Sequence, residues 1–249
     1  ISLSFPELVS ETWSQKRPKL PTPHQVATEM WNTTVHQKIT SKRSLVYHTW
    51  ITFSETMFGF LLGTSLGILL AITIVHNRAT AISVMPWIIT SQTIPILALA
   101  PMIVVALGSA GFSGLLPIAI ISMYLSFFPV VVGMVKGLRS PESLELDQMK
   151  TWSASGPQVL MKLRLPKSMP FFFTSLKLGM AAALVGAIVG ELPSGGGGGL
   201  GFRMLSGSTF GNTLHIWSGL FSAAVLAASL ITFIGILQKV ILKKMALEL

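Results

Sequence analysis

Three groups of side chains in this sequence could do chemistry, and the first is a glycine run. Gly195 to Gly199, followed by Leu200-Gly201, contains the spacing G-x-G-x-x-G at Gly196, Gly198 and Gly201. That spacing holds a dinucleotide pyrophosphate only where it joins a strand to a helix, with an acidic residue about twenty positions on. Here it follows an apolar stretch long enough to be a membrane helix, and no Asp or Glu occurs between Glu191 and Glu248. Dinucleotide binding is excluded, and the run is expected to be a flexible outer loop. No G-x-x-x-x-G-K-[ST] occurs either, so the chain has no phosphate loop with which to hydrolyse ATP by itself. The histidines (His24, His36, His48, His76 and His215) are scattered, whereas a membrane-bound enzyme or metal site needs His, Asp or Glu in clusters. Cysteine is absent, which removes thiolate ligands, cysteine nucleophiles and disulfides.

The second group is polar residues inside apolar stretches. Glu55 and Lys177 fall within them, and Glu191 lies at the end of one. Intramembrane ionisable groups are functional candidates by default, although long side chains near an interface also snorkel to the headgroups. Glu191 is placed where a gate or a contact with an outer partner would be. The run Ser91-Gln92-Thr93 sits among Pro86, Pro95 and Pro101. Proline removes a backbone donor, and inside a bilayer the freed carbonyls need protein or water as partners. Ser91, Gln92, Thr93 and Pro95 therefore line a translocation pathway or make interhelical hydrogen bonds.

The third group lies in the one long polar insertion, about 136–170. Ser140-Pro141-Glu142 has a capping hydroxyl, a proline at the first helical position and an acid in the first turn, so a helix is expected from there to about Trp152. Ser155-Gly156-Pro157-Gln158 restarts a second helix with a capping box, which Pro166 is expected to end. Two short helices bent at Ser153–Ser155 make either a compact knob or a loop lying on headgroups.

The elements that hold these residues are set by composition. Of 249 residues, 51% are hydrophobic and only 11% charged, and the mean hydropathy is +0.66; a soluble domain carries roughly 25% charged residues. Apolar stretches at about 51–75, 82–107, 112–135, 171–190 and 214–238 are each long enough to cross a bilayer, which takes about 20 residues. The class is an all-α integral membrane protein. A net charge of +9 would suit nucleic acid, but the basic residues cluster at helix ends, where they set orientation. Arg78, Lys136, Arg139, Lys150, Lys162, Arg164, Lys167, Lys239, Lys243 and Lys244 fall on one side, which is therefore cytoplasmic; the outer segments after the first span hold only Arg203. Gly59, Gly63 and Gly67, and again Gly186 and Gly190, form small-residue ladders for close helix packing, within a subunit or in a dimer.

Five spans put the N-terminus outside, although Lys16, Arg17, Lys19, Lys38, Lys42 and Arg43 argue weakly against it. The expected organisation is an outer-face segment over 1–50, with a short amphipathic helix after Leu20-Pro21-Thr22-Pro23, and a transmembrane domain over 51–249. A sixth helix, upstream of Ile1, or a cleaved signal segment is expected to have carried the start across.

The insertion resembles the loop E-A-A-x-x-x-G-x9-I-x-L-P of ABC importer permeases. Asp147-Gln148-Met149 opens it, Ser153 stands at the glycine position with Ala154-Ser155 after it, Leu163 follows, and Leu165-Pro166 closes it. It departs from the pattern in Asp for Glu, Gln-Met for Ala-Ala and Ser for Gly. Leu20-Pro21-Thr22-Pro23, Gly59 to Gly63, Ser91 to Pro95, Leu99-Ala100-Pro101, Gly186 to Glu191 and Gly199-Leu200-Gly201 occur in order, as in the nitrate/sulfonate/taurine-type permeases, including their thiamine-precursor or pyrimidine branch. The resemblance implies a type I importer transmembrane domain in the bacterial plasma membrane. It implies two permease subunits (a homodimer being the commoner case), ABC ATPase subunits that bind the ATP and Mg²⁺, and a periplasmic or lipid-anchored substrate-binding protein. This chain itself would carry no cofactor and no catalytic residue. The ATPase contact would be Asp147, Met149, Trp152, Ser153, Ala154, Ser155 and Gln158. The solute would be a small heterocycle or a nitrate-, sulfonate- or taurine-type anion. A secondary transporter or channel is the competing class; it would need midplane carboxylates or internal repeats, which are not evident.

Overall fold

The computed structural model describes residues 21–195 and 197–245. Lys16, Arg17, Lys19, Leu20, Gly196 and the expected upstream helix lie outside the described residues. The helices are α1 (Pro23–Thr34), α2 (Leu45–His76), α3 (Arg78–Ser91), α4 (Ile96–Ser109), α5 (Leu115–Leu138), α6 (Ser143–Thr151), α7 (Gly156–Val159), α8 (Leu165–Glu191), α9 (Leu200–Thr209) and α10 (Thr213–Lys244), with no strand among the described residues. Thr22 caps α1 reciprocally with Gln25, and Pro23 sits in its first turn, where a missing N–H costs nothing.

Helices α2, α5 and α10, and the continuous stretch Gly156–Glu191, are each long and apolar enough to span a bilayer. The expected span 82–107 is instead two helices, α3 and α4, bent by 96°. The break falls at Gln92–Pro95 because Pro95 lacks the N–H that would bond the Ser91 carbonyl. The Tyr124 hydroxyl of α5 donates to that carbonyl instead. Pro86 and Pro101 stay inside α3 and α4.

Helix α5 is the centre of the bundle. Gly59, Gly63 and Gly67 of α2 lie against Ser122, Ser126 and Val130 of α5, so the two helices run in the same direction. Gly186 and Gly190 of α8 lie against Ser122 and Ile118, so α8 runs opposite to α5. Both glycine ladders therefore pack within the chain, bringing backbones close where lipid supplies no hydrophobic drive. Because α2 and α5 are parallel, the bent pair α3–α4 must carry the chain back across the bundle. The starts of α2, α5 and α10 and the end of α8 then share one face. The other face holds the ends of α2, α5 and α10, the α6–α7 insertion and the ten basic residues from Arg78 to Lys244 named above.

Candidate functional site

On the outer face, the start of α9 is clamped to α2 and α8. An α-helix begins with backbone N–H groups that have no partner of their own. Here Gly199 N–H donates to His48 Nδ1 (3.1 Å), Leu200 N–H to Thr52 Oγ1 (2.8 Å) and Gly201 N–H to Glu191 Oε2 (2.5 Å). His48 thus keeps its ring proton on Nε2, which faces the Lys42 carbonyl at 3.0 Å. Thr52 donates its hydroxyl to Glu191 Oε1 at 2.5 Å. Glu191 is 0% exposed; both its oxygens are engaged, and its carboxyl faces the positive end of α9. It holds the helix in place and does not face open solvent. A β-carbon on Gly199 would strike the Glu191 carboxyl, and one on Gly201 would lie 2.9 Å from it. Gly199-Leu200-Gly201 is therefore a packed helix start, where a flexible loop was expected; Gly195 and Gly197 face open space.

Glu55, one helical turn beyond Thr52, is 4% exposed. It turns toward Glu191 and does not reach for the headgroups. Nearby, Arg203 of α9, 5% exposed, pairs with Glu29 of α1 at 3.4 Å and donates to the Arg43 carbonyl at 3.2 Å. His215 of α10 stands 3.4 Å from the same Glu29 oxygen. The His215 hydrogen bond holds the Glu29 carboxyl below its ordinary range, with burial opposing and the charges of His215 and Arg203 adding to the effect. Burial lowers the Arg203 pKa, and Glu29 counters that. This latch fixes α1 on the outer face. Sequence reasoning missed Glu29, His48, Thr52 and the role of Arg203; the i, i+4 spacing of His48 and Thr52 was the available signal.

Of the expected pathway residues, Ser91, Gln92, Thr93 and Pro95 meet at the α3–α4 bend. Ser91 and Gln92 are partly buried, Thr93 and Pro95 exposed. Ser91 Oγ donates to the Ile88 carbonyl at 2.7 Å, and Gln92 Nε2 to Ser91 Oγ at 3.3 Å. Glu191 lies apart from them, in the outer clamp. Lys177 of α8 runs alongside Gly235 of α10.

The inner insertion is a knob. Glu142, not Ser140, caps α6 in a reciprocal box with Glu145; Ser140 instead donates to the Gly137 carbonyl at 2.7 Å. At the other end Trp152 caps α6, and Ser153 takes φ +53. That is the left-handed conformation that favours glycine, which the resembled motif has here. Ser155 and Gln158 form the expected box on α7, with Ser155 N–H donating to Gln158 Oε1 at 2.8 Å. Pro166 does not end the second helix. A π-helical turn, Leu160–Arg164, joins α7 to α8, and Pro166 lies in the first turn of α8. Asp147, Trp152, Ser153, Ser155 and Gln158 are exposed, Ala154 is partly buried and Met149 is buried as an anchor. Asp147 pairs with Lys150 at 2.8 Å.

Two contacts fasten the knob to the bundle. Lys167 of α8 pairs with Glu145 of α6, which keeps the Glu145 carboxyl below its ordinary range. Arg164 donates to the Leu138 carbonyl at the end of α5 at 3.2 Å, satisfying one of that helix's free acceptors.

The pattern of one protein family, described as binding-protein-dependent transport system inner membrane component, matches residues 63–247. A probable ABC transporter permease protein of Haemophilus influenzae is 33% identical over 172 residues, covering 69% of this chain and 68% of that one. The formylaminopyrimidine transport permease protein ThiX of Halalkalibacterium halodurans is 32% identical over 173 residues, 69% of this chain and 64% of its own length. A solved structure of the MetNI methionine ABC transporter in inward-facing conformations superposes with a TM-score of 0.60 at 20% identity, covering 80% of this chain and 94% of that one, a likeness of fold.

Proposed function

The chain belongs to the binding-protein-dependent transport system inner membrane components, a permease subunit of an ABC importer, and from that premise we propose how it is driven and what it carries. ABC ATPase subunits dock on the inner knob through Asp147, Trp152, Ser153, Ala154, Ser155 and Gln158, with Met149 anchoring the surface from beneath. The chain hydrolyses nothing itself; closure of the ATPase pair pushes the knob, and α5 and α8 follow as one body. A second permease chain faces this one across the pathway, and a substrate-binding protein delivers solute to the outer face. The α3–α4 bend at Ser91, Gln92, Thr93 and Pro95 lines the route. Glu191 positions α9 behind it. The solute is a small heterocycle, a reading supported by the name of the ThiX relative.

The observation that carries the coupling role is the fastening of an exposed, polar knob to two spanning helices, by Lys167–Glu145 and Arg164–Leu138. The test is Asp147→Lys and Ser155→Trp in the assembled transporter. Both substitutions should reduce copurification of the ATPase subunit or solute-stimulated ATP hydrolysis. Unchanged assembly and unchanged stimulation would overturn the coupling role.

A further inference from the structure

A cavity of about 600 Å³ opens at the outer end of the bundle, between α2, the end of α4 and the start of α5. Trp50, Ser54, Glu55, Phe112, Ser113 and Ser194 contribute its polar and aromatic lining, and Glu55 is its one ionisable group among the described residues. Glu55 is 4% exposed, and its Oε2 has no hydrogen-bond partner among the described residues. Glu55 shares a hydrogen bond with the neighbouring Glu191, whose oxygens also accept from Thr52 and Gly201, and the Glu55 Oε2 is left over. A buried carboxyl oxygen without a partner costs free energy until a donor reaches it. The aromatic side chains Trp50 and Phe112 add flat apolar surface to the same space.

We propose that this cavity is the outer receiving site for an amino-substituted aromatic heterocycle, held at its N–H edge by the Glu55 carboxyl. Such a ring presents an N–H donor beside a ring-nitrogen acceptor, the pattern that complements a carboxyl group in either protonation state. The ring face packs on Trp50 and Phe112; Ser54 and Ser194, whose hydroxyls already donate to the Trp50 and Glu191 carbonyls, supply acceptors, and Ser113 supplies a further hydroxyl. The cavity has no cationic side chain among its lining residues with which to hold a sulfonate or nitrate. The assignment rests on the permease reading and narrows its solute class.

The test uses the permease with its ATPase subunits in lipid nanodiscs, with 4-aminopyrimidine and taurine as probes in equilibrium binding. Wild type should bind 4-aminopyrimidine saturably and taurine not at all. Glu55→Leu should weaken 4-aminopyrimidine binding at least about tenfold, while Glu55→Gln, which keeps an acceptor beside a donor, should stay within a few-fold of wild type. Ser113→Trp, placed in the α4–α5 loop to fill the cavity, should also abolish binding and serves where Glu55→Leu fails to assemble. Unweakened binding to Glu55→Leu or to Ser113→Trp, or saturable binding of taurine, would overturn the site. Retention of the ATPase by wild type reports separately on the permease reading.

Discussion

At Ser153 the backbone turns through φ +53 to end α6 one residue after its cap. For any residue with a β-carbon this region is strained by about 1–2 kcal/mol, and glycine escapes the cost. Ser153→Gly should therefore raise the midpoint of thermal unfolding in detergent by about 2–4 °C, and Ser153→Val should lower it. A midpoint that does not move under either change would mean the turn is not held as described. The capping box of Ser155 and Gln158 was legible in the sequence because its partners are three residues apart. The task of Glu191 was not. Its carboxyl looks like an exposed gate until α2, 139 residues away, brings Thr52 against it. Glycines at 199 and 201 follow from that contact and not from a phosphate.

Among the described elements, apolar length revealed the spanning segments, while proline alone did not reveal where a helix breaks. Pro86, Pro101 and Pro129 stay inside helices, and Pro166 sits in a first turn. Only at Pro95 does the chain bend by 96°, and there a hydroxyl from α5 takes up the freed carbonyl. That partner is set by tertiary structure, so the bend could not be read from the proline spacing. The glycine ladder was readable, and its register now makes a sharp prediction. A β-carbon on Gly63 would lie 3.0 Å from the Met123 carbonyl oxygen and 3.1 Å from the Phe127 nitrogen, backbone atoms that cannot swing aside. Gly63→Leu should destabilise the purified permease by about 3 kcal/mol, seen as loss of the monodisperse peak and a lower melting temperature. Gly108→Leu in α4 is the control, since its β-carbon meets open space; it should change stability by less than about 1 kcal/mol. Equal effects of the two substitutions would refute the packing of α2 on α5.

For the whole molecule, sidedness rests on two independent arguments that meet at the α3–α4 pair. Charge places ten basic residues on the inner face, by a rule that concerns how loops are retained during insertion. Packing places α2 and α5 parallel, which is geometry and owes nothing to charge. Each of α3 and α4 has 14 residues, about 21 Å of helix; two such lengths at a right angle span roughly 30 Å, the thickness of a bilayer core. A pair that merely dipped in and returned would leave α2 and α5 antiparallel, so the register requires a crossing. Because the chain has no cysteine, single cysteines report position without background. Ser113→Cys, between α4 and α5, should react with a membrane-impermeant maleimide on intact cells, and so should Ser41→Cys, just before α2. Thr151→Cys, at the end of α6, should react only after the membrane is opened. Labelling of Thr151→Cys from outside would place the knob beyond the reach of any cytoplasmic ATPase and would remove the coupling role with it. Protection of Ser113→Cys until the membrane is opened would instead show that α3–α4 fails to cross, against both the packing register and the charge rule.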